Sequence, residues 1–122
     1  LDYKHGTGHG VGFFLNVHEG PQSISKFNKV KFREGMILSN EPGFYKKGHY
    51  GIRIENLVYI KKTNNKLFFE NLTLAPIEKD LINFDLLTSK EKSYLFEYHS
   101  KVYSKISKYL SNSERSWLAS LI

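Results

Sequence analysis

The chain is 122 residues and 14.2 kDa, about one domain with room for its own hydrophobic core. At 40% hydrophobic and 25% charged it is not a disordered chain, no apolar run approaches the roughly 20 residues of a membrane span, and the absence of cysteine removes disulfides and Cys-based zinc sites. The net charge of +6 is spread evenly, 8 basic against 5 acidic side chains in residues 1–60 and 10 against 7 in 61–122, and 15 of the 18 basic residues are lysine. That is a solvated lysine-rich surface, without the concentrated stripe of a nucleic-acid binder.

In chain order, short apolar runs separated by turn residues predict strands at Val11–Val17, at Met36–Asn40 and, longer, at Ile52–Ile60. Asn64-Asn65 turns the last of these into a further strand, Lys66–Leu74, and Pro76 opens a connector. All nine glycines lie between Gly6 and Gly51, so the character of the chain changes after the strands. Thr88-Ser89-Lys90-Glu91 matches a capping box, and Tyr94, Tyr98, Val102, Ile106 and Tyr109/Leu110 recur every three to four residues as one face of a helix of about 20 residues. Ser111-Asn112-Ser113 interrupts it, and Ser113 is the expected cap of a short last helix carrying Trp117, Leu118, Leu121 and Ile122. The fold class is α/β in the α+β sense, strands first and helices after.

The chemistry-bearing residues are in the glycine-rich part. His5-Gly6-Thr7-Gly8-His9-Gly10-Val11-Gly12 sets two imidazoles four residues apart on chain too rich in glycine for a helix; extended, both rings lie on one side. The run contains neither a dinucleotide fingerprint nor a phosphate-binding loop, and His18-Glu19-Gly20-Pro21 lacks the second histidine of a zincin helix. Glu41 opens the turn Glu41-Pro42-Gly43, and Glu55 falls within a β-forming run two residues after Arg53. A carboxylate there is solvent-facing, paired with Arg53 or bound to metal. One imidazole and two carboxylates on strands or strand ends suit a mixed N/O site for Mn²⁺, Fe²⁺, Co²⁺ or Zn²⁺.

Four motifs in this order and spacing resemble X-prolyl aminopeptidases of the pita-bread metallopeptidase family: His5 to Gly12, Leu15-Asn16-Val17-His18-Glu19-Gly20-Pro21, Glu41-Pro42-Gly43-Phe44-Tyr45, and Gly51-Ile52-Arg53-Ile54-Glu55-Asn56. The tail, from Leu72 through Leu86-Leu87-Thr88 to Trp117-Leu118, resembles the small C-terminal extension of the long, three-domain form. The resemblance implies that residues 1–75 are the C-terminal half of a pita-bread domain and 76–122 a helical extension. It implies His9, Glu41 and Glu55 as ligands of two divalent ions, usually Mn²⁺ in that family, with Glu41 also the proton carrier. It implies His5 and His18 as substrate-site and catalytic histidines, and Tyr45 and Arg53 as the lining where the penultimate proline sits. The expected reaction is removal of the first residue from peptides with proline at the second position, by a cytoplasmic homodimer that needs neither nucleic acid nor membrane.

That family also uses two aspartate ligands ahead of the first histidine, whereas this chain has only Asp2, Asp80 and Asp85 and opens Leu1-Asp2-Tyr3 without methionine. The expectation is therefore a piece of a longer enzyme, inactive by itself. The alternative is a non-catalytic pita-bread module that holds peptides or partner proteins.

Overall fold

The computed structural model describes residues 2–14 and 16–122, and the chain divides into two compact units, Leu1–Thr73 and Leu74–Ile122. Among the described residues the first holds seven strands: β1 (Gly8–His9), β2 (Ser23–Ile24), β3 (Ile37–Asn40), β4 (Gly43–Lys46), β5 (Tyr50–Arg53), β6 (Asn56–Thr63) and β7 (Lys66–Asn71). Every pairing is antiparallel, β1 with β2, β3 with β6 and β6 with β7, and β4 with β5. A bridge between Gly10 and Leu38, with hydrogen bonds from Val11 N–H to Ile37 O and from Glu41 N–H to Thr7 O, lays β1 along β3. The neighbour order across this face is thus β2-β1-β3-β6-β7.

Alternation along β3 and β6 explains what is buried. Leu38, Val58 and Ile60 point to one side and form the core of this unit with Ile24, Phe32 and Met36 packed against them. Asn64 and Asn65 both take positive φ, 49° and 60°, the backbone a tight hairpin requires and which asparagine tolerates, and they turn β6 into β7.

Two strand expectations are corrected. Among the described residues of Val11–Val17 no strand forms: Phe13 and Phe14 are in a turn, Val17 is in a bend, the others are irregular, and Leu15 lies outside the described residues. The single strand expected over Ile52–Ile60 is two, because β5 ends at Arg53 and β6 begins at Asn56. The cause is across the ladder. Pro42 has no N–H to offer, so β3 and β4 are interrupted at Glu41-Pro42, and their partners are interrupted at the same level. The Asn40↔Asn56 and Gly43↔Arg53 pairs share one register, and Ile54 N–H reaches Pro42 O across the gap. Glu55 is therefore in a break between strands rather than in mid-strand, directly opposite Glu41.

The second unit is helical. α1 (Ser89–Ile106) carries the expected capping box, Thr88 with Glu91, and a 3₁₀ turn, Ser107–Tyr109, follows it. α2 (Asn112–Ala119) is capped by Ser111 with Glu114 rather than by Ser113, since only Ser111 has a glutamate three residues on. Tyr98 and Val102 of α1 bury against Leu118 of α2, whereas Tyr109 falls in the 3₁₀ turn and is exposed. His99, also buried, takes Ile77 N–H on Nε2 at 3.0 Å and donates from Nδ1 to Leu121 O at 2.8 Å. No helix among the described residues is long and apolar enough to cross a membrane.

Candidate functional site

Residues directly opposite in a ladder share a face. With Leu38, Val58 and Ile60 on the core side, the other side of the same strands carries His9, Ser39, Glu41, Glu55 and Arg53. His9 reaches this face because β1 lies flush on β3: a Cβ at Gly8 would fall 1.9 Å from the Ser39 carbonyl oxygen.

His9 and Glu41 converge, Nε2 to Oε1 at 3.2 Å, with side chains 25% and 17% exposed. His9 Nδ1 is 2.9 Å from Gly10 O, and since a carbonyl only accepts, Nδ1 carries the hydrogen. In the neutral ring Nε2 then presents a lone pair to the lone pairs of a carboxylate. Two acceptors at that separation need a proton or a cation between them. A histidine that gives its far N–H to a backbone carbonyl and its near nitrogen to a shared site is also the usual second-shell arrangement of a metal ligand.

Glu41 and Glu55 oppose each other in register, which alone is unfavourable. Arg53 relieves it, with Nε 3.8 Å from Glu41 Oε2 and 3.4 Å from Glu55 Oε2. A hydrogen bond from Arg53 to Tyr45, then the charges of Glu55 and Glu41, raise the guanidinium pKa above its ordinary value. Tyr45 in turn meets His5, whose Nε2 is 2.8 Å from the Tyr45 hydroxyl and whose Nδ1 donates to Gly6 O at 2.7 Å. His18 lies beside His9 with ring centroids 4.2 Å apart and the rings tilted by 46°. His5, His9, His18, Glu41 and Arg53 line one cleft of about 260 Å³; Glu55 and Tyr45 join it through Arg53 and His5.

The donor chemistry fits a divalent ion, one imidazole nitrogen and carboxylate oxygen already converged. The number does not complete a site: among the described residues no three His, Cys, Asp or Glu side chains form a group that could hold a metal. Sequence reasoning missed Ser39, which accepts His9 N–H at 3.0 Å and donates to Glu41 Oε1 at 3.0 Å. Its position two residues before Glu41, on the same strand face, was the available signal.

An imidazole with two opposed carboxylates beside a cleft is a donor set that suits a divalent ion. Residues 1–62 match the family described as metallopeptidase family M24, and residues 65–121 match the C-terminal region of peptidase M24. The chain belongs to metallopeptidase family M24, and its fold is part of the pita-bread domain with that C-terminal region. It is 50% identical over 131 residues to a probable Xaa-Pro aminopeptidase P of Coprinopsis cinerea, covering 97% of this chain and 21% of that protein. A probable Xaa-Pro aminopeptidase P of Pyrenophora tritici-repentis is 47% identical over 123 residues, 92% of this chain and 21% of that one. Among solved structures, the X-prolyl aminopeptidase of Caenorhabditis elegans, described as a cytosolic enzyme with a di-nuclear active site, matches with a TM-score of 0.90 and 39% identity over 99% of this chain and 22% of that chain. The resemblance to X-prolyl aminopeptidases read from the four motifs is thus shown. The chain spans about a fifth of the length of these relatives.

Proposed function

We propose that this chain supplies His9, Glu41 and Glu55 to the two-metal centre of an Xaa-Pro aminopeptidase, the remaining ligands coming from outside the 122 residues. The observation that carries the reading is the His9–Glu41 pair, Nε2 and Oε1 held 3.2 Å apart with the ring's other nitrogen committed to Gly10 O. When bound, two divalent ions, Mn²⁺ in this reading, would lower the pKa of a coordinated water and polarise the scissile carbonyl. The chain's own residues do the rest. Glu41 holds the proton taken from the attacking water and passes it to the departing amine. His18, on the cleft wall beside His9, hydrogen-bonds the substrate and offsets charge growing on the carbonyl oxygen. Tyr45 and Arg53 line the place of the penultimate proline, and His5, bonded to Tyr45, orients that wall. The whole protein acts in the cytoplasm as a homodimer on peptides with proline at the second position.

The test compares the 122-residue chain with the same sequence carried in a polypeptide of its relatives' length, each with Mn²⁺ and an Xaa-Pro peptide. The long form should turn over within the ~1–10³ s⁻¹ usual for enzymes, lose activity to a chelator and regain it with Mn²⁺. The chain alone should show no turnover, because ligands are missing. Hydrolysis by the chain alone, or a long form that binds peptide without cleaving it whatever the metal, overturns the reading; the second result is that of a non-catalytic binding module.

A further inference from the structure

We propose that Ser39 is the positioning residue of the metal-facing pair, a role that rests on the reading of His9 and Glu41 as ligands. Ser39 is fully buried (0% exposed) on β3, opposite His9. A hydroxyl has one hydrogen to give and two lone pairs to receive. Here the oxygen takes the His9 N–H at 3.0 Å and the hydrogen goes to Glu41 Oε1 at 3.0 Å. The two bonds run in series, so the β1 backbone fixes the oxygen and the carboxylate fixes the hydrogen.

The oxygen it holds is the one that matters. Glu41 Oε1 also faces His9 Nε2, while Oε2 faces Arg53. With Oε1 bonded to Ser39 and Oε2 turned toward Arg53 at 3.8 Å, the Ser39 hydrogen bond opposes exchange of the two carboxylate oxygens and keeps Oε1 facing His9 Nε2. One buried atom therefore links the strand bearing the imidazole to the carboxylate it must meet. Gly8 makes the link possible, because any side chain there would push β1 off the Ser39 carbonyl.

The test uses three variants of the long polypeptide, Ser39→Ala, Ser39→Thr and Ser39→Val, with Mn²⁺ affinity read by calorimetry and the thermal midpoint read beside it. Threonine and valine have the same shape and differ by the hydroxyl. Ser39→Ala and Ser39→Val should lose the 10–100-fold in metal affinity that removal of a ligand's hydrogen-bond partner causes. Ser39→Thr should stay within about threefold of the unsubstituted protein, well above that range. Unchanged affinity in the alanine and valine variants overturns the proposal. So does a loss that is equal in threonine and valine, or that follows the thermal midpoint across all three, since each describes packing alone. Failure of the unsubstituted protein to bind Mn²⁺ overturns the ligand reading itself, and is distinguishable because no variant then differs from it.

Discussion

Two glutamates facing each other across a ladder repel unless something positive lies between them, and in this chain that is the Arg53 guanidinium. The same opposition makes a division of labour testable in the long polypeptide. Glu41→Ala and Glu55→Ala each delete a proposed ligand, so metal content should fall by more than the 10–100-fold loss that follows removal of an outer partner, and activity with it. His18→Ala should keep its metal while turnover drops by about 10²–10³, the usual effect of removing one group that stabilises developing charge. Metal analysis beside kinetics separates the two, and equal metal loss in all three contradicts the assignment. Glycine spacing, the Glu-Pro turn and the β-forming run set His5, His9, Glu41, Arg53 and Glu55 apart in the sequence, while the roles given to them and to His18 and Tyr45 came from the resemblance. Ser39 was not legible there, because a serine in an apolar strand looks unremarkable until the register shows which N–H and which carboxylate it faces.

At the scale of single elements, both helices start from the same device. The Glu91 carboxylate accepts from the Thr88 hydroxyl and N–H at 2.7 and 2.8 Å, and Glu114 does the same for Ser111 at 2.7 and 2.8 Å. Those bonds favour the ionised form, led by the hydroxyl in each case, and lower both pKa values from the ordinary 4.5. Carboxylates with depressed pKa contribute stability that is complete above the ordinary value and is lost as pH falls through the folded one. Helix content followed by circular dichroism should therefore decline on acidification below about 4.5. The Glu91→Gln/Glu114→Gln protein should start lower at neutral pH and show a smaller decline; an identical acid profile would contradict the account. The sequence exposed the first box, whose glutamate follows an obvious threonine. It misplaced the second by two residues because two serines compete there, and it joined β5 to β6 because propensity along one strand cannot reveal that its partner stops at a proline.

For the molecule as a whole, large apolar side chains stand in solvent: Phe13 and Phe27 are 91% exposed and Phe14 79%. Leu67, Phe68 and Phe69 of β7 are about half exposed as well. Patches of this kind favour association in a chain purified by itself. Light scattering should show species larger than one chain, growing with concentration, and Phe13→Ser/Phe14→Ser/Phe27→Ser should shift the distribution toward one chain; a concentration-independent monomer would contradict this. The interruption at Glu41-Pro42 and Ile54-Glu55 has a different consequence. It separates a buried strand, β3, with Leu38 and Ser39 at 0% exposure, from a ribbon, β4–β5, in which every residue of β5 is exposed. Drift on the ribbon disturbs little packing, whereas drift on β3 disturbs the core at once. A change of side chain at Tyr45 or its β4–β5 neighbours therefore costs little packing, whereas one at Leu38 or Ser39 is felt throughout the unit.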